Sequence, residues 1–511
     1  MGVKMKISKN RFFAATLILF FLTCWSWIQA ASEEWPTLGW KTSTPEEQGV
    51  DSMKLAEVMD ELLNSNLRVH SVLVVRNGHI VLEANFYPFQ PNGLHDLASV
   101  TKAITATIIG IAINKRFIQD VHQPILDFFP DYKIKNVDER KKSMLLEHLL
   151  SMRDGIQCIA SPSEITLMQM LFSPNFVQFM LDLPMEAEPG TRYRYNSGGV
   201  HLLSAVVSQA TGQGTLEFAK KYLFGPLGIS DMIWPVDPQG VNNYGWGDLR
   251  LRARDLAKIG YLYLKNGLWQ GNKILPEGWM AQATKKYTQF DDGNGYGYQF
   301  DIHTDGSYSK SGRGGQFLHV IPARNMVVVI YGIGGLPRLG GILNKLVQSA
   351  NETGDPLTPN PKSNAVLKEK IEHAAKEPEA VPEIFPLPEI AKQISGKVYN
   401  MEPNQLGLTK LSVVFHNARE AVLKYDLPPM FSDRQAELRV GLDGIPRIGA
   451  GRYGLPEAAT GRWSFASSLV VDIDGIGNNL DIEMVLNFEE NRISGTVTGS
   501  VFDKIPIRGS F

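Results

Sequence analysis

The sequence predicts an α+β protein with a small antiparallel β-domain behind it. Three observations predict this: hairpin patterns stand at both ends of the first 350 residues, helical patterns fill the interval between them, and short alternating apolar runs recur after residue 391. The first hairpin is residues 71–75 and 79–83 around Asn77-Gly78, a dipeptide that tolerates the positive φ a tight turn needs. The second pairs residues 317–321 with 326–330 around Pro322-Ala-Arg-Asn325. Between them, residues 99–113 are apolar nearly all round, which predicts a helix buried on every side, and residues 200–211 and 255–266 are further helices. Strands at both ends with helices between imply a sheet that brings the two ends of this segment together.

Beyond residue 350 the texture changes. Residues 351–390 are rich in proline around a charged, helix-like stretch and are expected to be a partly ordered linker. Runs at 411–415, 421–425, 469–473 and 482–486, separated by Asp-Gly and Asn-rich turns, predict an antiparallel barrel or sandwich over 391–511. The expected division is therefore a leader at 1–30, a first domain at 31–350, the linker, and the β-domain.

Among 511 residues, 43% are hydrophobic and 20% charged, which excludes a fibrous or wholly disordered chain. Lys and Arg number 51 against 53 Asp and Glu, so nothing in the charge calls for a nucleic-acid partner. The first thirty residues differ. Lys4, Lys6, Lys9 and Arg11 precede an apolar run from Phe12 to Ile28, ending in Ala30-Ala31, the pattern of a secretory signal peptide. An uncleaved anchor is the alternative, and Cys24 offers a third, lipid modification, although Phe21-Leu22-Thr23 fits a lipobox poorly. Each reading exports the protein, to the periplasm or beyond, and would put it beside peptidoglycan. Removing the leader turns the net charge of −2 into −6 by taking away four basic groups. Cys158 then stands alone, so no internal disulfide is possible, and it reads as a small buried hydrophobe rather than a nucleophile.

Several chemistries find no support. Gly-x-Ser-x-Gly, His-Glu-x-x-His, paired cysteines and a phosphate-binding Gly-Lys-Ser loop are all missing, so neither cofactor nor metal is expected. His148 sits in a helical Leu-rich stretch and reads as a packing residue. What remains is Ser99-Val-Thr-Lys102 at the start of the all-apolar helix. Residues three apart share a helix face, so hydroxyl and amine can meet. The positive helix N-terminus and burial both favour a neutral lysine able to take the serine proton, the arrangement of an activated nucleophile. A second match, Ser307-Tyr-Ser-Lys310, lies in Gly-rich sequence that does not predict a helix.

Context separates the two. Glu188-Pro-Gly-Thr-Arg-Tyr193 leads into Tyr195-Asn196-Ser197-Gly-Gly199 and a helix, and Ser311-Gly-Arg-Gly-Gly-Gln316 runs into a strand. With Thr44-Pro-Glu-Glu-Gln-Gly49 and Arg252-Ala-Arg-Asp-Leu-Ala-Lys258, residues 44–333 resemble the serine β-lactamase-like family. That family comprises penicillin-recognising hydrolases: class C β-lactamases, D-Ala-D-Ala carboxypeptidases, and related esterases and amide hydrolases. The resemblance implies an antiparallel sheet flanked by helices with an all-helical subdomain. It implies Ser99 as the acylated nucleophile, Lys102 as its proton partner and Tyr195 as general base and then acid, with the phenol pKa lowered toward a useful range. Tyr193 matches an aromatic packing position.

Two departures qualify the resemblance. Where the family has Tyr-x-Asn, this chain has Ser197 in the third place and its amide one earlier, at Asn196, so a substrate-ordering amide is missing or displaced. The third motif is ambiguous. Lys310-Ser311-Gly312 fits the letters, but Arg313-Gly314-Gly315 lies closer to the following strand and is preferred, which would join the Gln316 N–H to that of Ser99 as the oxyanion hole. His303-Thr-Asp-Gly306 resembles the motif with an inserted residue. Both departures touch β-lactam-recognising groups. The expectation is therefore an exported hydrolase acting on a small acyl ester or amide. Peptidase or β-lactamase action on cell-wall-like substrates comes next, then a silent fold member that binds an unidentified partner through its β-domain.

Overall fold

Asn77 and Gly78 both adopt positive φ, 50° and 79°, and close the first hairpin between β1 (Val69–Arg76) and β2 (His79–Asn85). The computed structural model of the chain describes residues 1–2, 35–161, 164–333, 335–380, 386–427, 436–499 and 502–511. Residues 3–30 of the expected leader, with Cys24, lie outside them. Among the described residues no helix is long and apolar enough to cross a membrane.

Helix α1 (Ser52–Leu63) precedes the hairpin, capped by the Asp51 carboxylate. The sheet is completed by β3 (Tyr308–Gly312), β4 (Gln316–Ile321) and β5 (Met326–Gly332), so that β5 pairs with β1 and the two ends of the domain meet, as the two hairpins predicted. The order β2-β1-β5-β4-β3 is antiparallel throughout, and short strands extend it at both edges to nine among the described residues. Side chains alternate between two apolar layers. Leu73 and Val75 face a large core with the helices, while Val72 and Val74 face a second core on the other side.

On the first side lie α2 (Thr101–Asn114), entered through a 3₁₀ turn at Ala98–Val100, then α3 (Ser197–Thr211) and α4 (Ala253–Leu264). Helix α2 is buried from Thr101 through Ala112, which explains its lack of a polar face. Residues 120–245 contribute the short helices packed around α3, the helical part of the domain. On the second side α1 and α5 (Leu336–Gln348) cover the sheet. Within the interval 351–390 the helix-like stretch forms α6 (Pro361–Ala375), which packs on α1 and β2 and buries Leu367 and Ala374. Its apolar residues 367, 371 and 374 recur at helical spacing, so this segment belongs to the packing of the first domain.

The C-terminal domain is a closed barrel rather than a sandwich. Nine strands form its ring: β6 (Val398–Met401), β7 (Lys410–Asn417), β8 (Glu420–Asp426), β9 (Ala436–Gly441), β10 (Pro456–Phe465), β11 (Ser468–Gly475), β12 (Leu480–Glu489), β13 (Arg492–Gly499) and β14 (Phe502–Ser510). The ring closes at Gly441, which pairs with Thr460 between β9 and β10. Leu411, Leu423, Leu438, Val471, Leu486 and Ile507 fill it. The barrel is not a separate bead on the chain: Ala458 and Ile476 are buried in the large core of the first domain.

Candidate active site

Ser99 occupies the 3₁₀ turn that opens α2, and one helical turn on, the Lys102 amine lies 2.9 Å from its Oγ. Three consecutive contacts fix this turn of helix to the loop 245–249. Thr105 Oγ1 donates to the Gly245 carbonyl at 2.7 Å, Lys102 Nζ to that of Trp246 at 2.7 Å, and the Leu249 N–H to Thr101 Oγ1 at 3.3 Å. Lys102 is 1% exposed. Burial lowers its pKa to about 7, with the Lys310 and Arg313 charges pushing the same way against Glu164. An amine poised near neutrality beside a serine hydroxyl can accept its proton while an N–H stays on Trp246.

Tyr195 comes from the loop before α3 and donates its hydroxyl to Ser99 Oγ at 2.9 Å. Its ring lies 5.0 Å from Lys102 Nζ and 5.4 Å from Lys310 Nζ. Burial, and next the Glu164 carboxylate, push its pKa well above the ordinary phenol value. This is opposite in direction to the lowered phenol pKa expected from the sequence: the loss of hydration outweighs the Ser99 hydrogen bond, and the protonated phenol is favoured. Tyr193 packs edge-on against Phe290 and tilted on Tyr296, as its aromatic position implied.

The third motif comes out differently from the sequence-based preference. Gly312 pairs with Gln316, so Arg313, Gly314 and Gly315 form the turn between β3 and β4. It is Gly312 that lies against Ser99: a Cβ there would stand 3.0 Å from the Ser99 nitrogen and 2.6 Å from the Leu97 carbonyl oxygen. Lys310, on the same strand, is 2% exposed and donates to the Tyr296 hydroxyl at 2.9 Å, with Asp301 at 3.8 Å. Burial lowers its pKa. The site is therefore lined by Lys310-Ser311-Gly312. Gln316 stands one strand farther away, its amide turned to the Gly332 carbonyl at 2.7 Å, and Gly315 faces Leu339. Gly312, and not Gly315, stands at the Ser99 nitrogen, which moves the preferred motif from Arg313–Gly315 to Lys310–Gly312 and with it the expected oxyanion N–H away from Gln316.

Asn196 is also reassigned. Its Oδ1 accepts from the Gly199 N–H at 3.0 Å, capping α3, and its Nδ2 donates to Asp154 at 3.2 Å. Both ends of its amide are engaged by the protein, and the residue is 1% exposed. The Ser197 hydroxyl is buried without a hydrogen-bond partner among the described residues. Cys158 is buried, burial raises its thiol to about 11, and its Sγ lies 3.8 Å from the Tyr195 carbonyl oxygen, so it is no nucleophile. His148 Nδ1 accepts from the Leu145 N–H, a local capping contact. A cavity of about 470 Å³ lined by Tyr263, Lys286, His303 and Tyr308 contains none of the groups gathered at Ser99.

Sequence reasoning missed four contributors: the Trp246 carbonyl, Tyr296, Glu164 and, from the barrel, Asn479. Asn479 Nδ2 donates to the Arg313 carbonyl at 2.7 Å, and its Oδ1 accepts from Gln316 at 3.2 Å. Only the first left a signal, the Gly245-Trp-Gly247 turn.

With this geometry in hand, similarity to known proteins can be read. The profile of the Beta-lactamase family matches residues 55–338, which takes in Ser99, Lys102, Tyr195 and Lys310. The chain is 24% identical over 221 residues to a 6-aminohexanoate-dimer hydrolase of Paenarthrobacter ureafaciens, covering 41% of this chain and 56% of that protein. It is 36% identical over 84 residues to a lovastatin esterase of Penicillium rubens, covering 16% of this chain and 19% of that one. The matches thus span little more than half the length of the first relative and a fifth of the second. Among solved structures, one from Bacillus anthracis, provisionally described as a 6-aminohexanoate-dimer hydrolase, superposes with a TM-score of 0.52 at 18% identity, covering 62% of this chain and 88% of that one. That likeness speaks for the fold.

Proposed function

The chain belongs to the beta-lactamase family, and from that premise we propose that it is an exported serine hydrolase that cleaves an ester or amide through an acyl-enzyme on Ser99. The observation that carries this reading is the placement of Ser99 Oγ within 2.9 Å of both Lys102 Nζ and Tyr195 OH. Neutral Lys102 takes the Ser99 proton as Oγ attacks the acyl carbon. The Ser99 N–H and the Arg313 N–H, the latter following Gly312 out of β3, receive the negative charge that develops on the acyl oxygen. The protonated Tyr195 gives its hydrogen to the departing alkoxide or amine and is reprotonated from Lys102. Water then repeats the sequence on the acyl-enzyme, with the proton moving in the reverse direction. The names of the two relatives, a 6-aminohexanoate-dimer hydrolase and a lovastatin esterase, support hydrolysis of a small ester or amide as the reaction class. The leader pattern supports export, to the periplasm or outside the cell.

A second reading, peptidase or β-lactamase action on cell-wall-like substrates, is favoured by one observation: Lys310, with a Lys-Ser-Gly sequence, lines the site. The commitment of Asn196 to helix capping weighs against it. Intact mass after treatment with a fluorophosphonate, and separately with a penicillin, distinguishes them, with Ser99→Ala as the control. One phosphonyl adduct on wild type alone supports the Ser99 nucleophile. A stable or turning-over penicilloyl adduct moves the assignment to the second reading. A folded wild type that takes up neither probe refutes both and leaves a silent fold member.

A further inference from the structure

We propose that the barrel is a working part of the active site and that Asn479 is a positioning residue for the oxyanion pocket; this rests on the acyl-transfer reading above. The turn between β11 and β12, Ile476 to Asn479, leaves the barrel and enters the first domain, where Ile476 is 1% exposed. It holds the two backbone segments that flank the pocket. On one side the Gly477 carbonyl accepts from the Asp96 N–H at 2.8 Å, and the Asp96 carboxylate accepts from the Ala98 N–H at 2.8 Å, immediately before Ser99. Gly477 has φ 80°, and a Cβ there would stand 2.4 Å from the Leu94 carbonyl oxygen, so the approach requires glycine.

On the other side stands Asn479, 1% exposed and itself at φ 50°, a conformation asparagine tolerates better than most residues. Its Nδ2 donates to the Arg313 carbonyl at 2.7 Å. Gln316 Nε2 gives its shorter bond to the Gly332 carbonyl at 2.7 Å and shares its other N–H between the Arg313 carbonyl and Asn479 Oδ1, each at 3.2 Å. Asn479 is thus the closer of two buried amides on that carbonyl. With that oxygen held, Arg313 is restrained about its own Cα, and its N–H keeps the direction in which β3 leaves Gly312 beside the Ser99 nitrogen. Gly314 is shaped around the same side chain: a Cβ there would lie 2.0 Å from Asn479 Oδ1.

The clamp is separable from docking, because other contacts hold the barrel in place. Arg68 pairs with Asp481, His70 Nε2 lies 3.1 Å from Asp474, Arg250 reaches Asn478 at 3.3 Å, and the Arg250 guanidinium lies 4.3 Å from the Tyr453 ring centre. Removing one amide should therefore disturb pocket geometry more than assembly. A donor that aligns an oxyanion-hole N–H acts on the transition state and leaves ground-state binding nearly untouched.

The test uses the full chain with Asn479→Gly, which suits the positive φ and deletes the amide, and Asn479→Asp, which keeps the shape but sets an acceptor against the Arg313 carbonyl. For a nitrophenyl ester turned over by wild type, both variants are expected to lose about 10- to 100-fold in kcat with KM within about threefold. Affinity for a boronic acid, which places a tetrahedral oxygen in the pocket, should fall by the same factor as kcat/KM. The thermal midpoint identifies folded samples. A folded variant with kcat within about twofold of wild type, a loss carried by KM, or an unchanged boronate affinity overturns the proposal while leaving Ser99 chemistry intact. A wild type without Ser99-dependent labelling or turnover overturns both readings.

Discussion

Lys102 Nζ stands 2.9 Å from Ser99 Oγ, and its other close partner is a neutral main-chain carbonyl, that of Trp246 at 2.7 Å. No carboxylate forms an ion pair with this amine among the described residues. Glu164 and Asp248 act on it only through space, while Lys310 and Arg313 oppose them. An ammonium in that position loses its hydration and gains no salt bridge in return, so the neutral form is favoured. The buried lysine is thus held toward its neutral form by what the fold withholds from it.

The pH dependence follows directly. With the Lys102 pKa lowered to about 7, the amine is protonated and unable to accept the Ser99 proton below that pH, and free to do so above it. We expect log kcat/KM for an ester to rise with unit slope from pH 5 and level off above about 7. Initial rates across pH 5–9 check this. A profile flat between pH 5.5 and 8 would remove Lys102 from the role of base.

Tyr195→Phe takes away the second group on Ser99 Oγ and leaves the ring packing in place. Because burial holds the phenol protonated, its loss should cost a proton donor: kcat falls about 10²- to 10⁴-fold with KM within a few-fold. Wild type should also show no inflection below pH 10 that disappears in the variant. Steady-state kinetics of both proteins over that range would reveal a tyrosinate base if one existed.

Gly312→Ala should damage the site through shape alone. The added Cβ would meet backbone, the Leu97 carbonyl oxygen at 2.6 Å and the Ser99 nitrogen at 3.0 Å, and neither can swing aside as a side chain could. The expected outcome is a loss of about 1–3 kcal/mol in stability and more than about tenfold in kcat. Gly340→Ala is the contrast. It lies within α5 with nothing near its Cβ position and should be neutral or stabilising by up to about 1 kcal/mol. Denaturant melts and ester kinetics on the two variants measure both effects.

How far the site could be read in the sequence depended on range. Ser99 and Lys102 were legible because a helix brings residues three apart together whatever surrounds it. The hairpin at Asn77-Gly78 was legible because the turn chemistry is local. The choice between Lys310–Gly312 and Arg313–Gly315 was not, since it depends on where β3 ends and its turn begins, which the pairing of Gly312 with Gln316 and the approach of Gly312 to the Ser99 nitrogen decide. Asn196 carried a readable signal that the motif obscured: an asparagine three residues before the N–H it caps is an ordinary helix start. Asn479 lies 163 residues beyond Gln316 in another domain, and nothing in its neighbours predicts the contact. The lowered phenol pKa expected of Tyr195 runs opposite to the direction found for a related reason, because burial is a property of the whole fold and outweighs the Ser99 hydrogen bond.

Asp154 offers a test of the same balance in stability rather than catalysis. It is 3% exposed and accepts from the Ile156 N–H at 2.9 Å and from Asn196 Nδ2 at 3.2 Å, holding the residue that caps α3 beside Tyr195. Burial raises its pKa from 3.8 to about 6, against those two hydrogen bonds. Between these values the folded chain binds a proton that the unfolded chain has released. The contribution to stability is therefore full below pH 4 and is lost as pH rises through 6, leaving a cost on the order of 2–3 kcal/mol at neutral pH. Asp154→Asn retains Oδ1 to accept from both donors and removes the charge. The variant should match wild type near pH 4 and exceed it by about 1–2 kcal/mol at pH 7.5 in urea melts, with kcat within a few-fold because Tyr195 keeps its support from Asn196. Asp96 also titrates near 6, but it is present in both proteins and cancels in the comparison. If the variant were less stable than wild type at pH 7.5, the hydrogen bonds to the carboxylate would outweigh its burial, and Asp154 would be a charged support for the α3 cap rather than a protonated one.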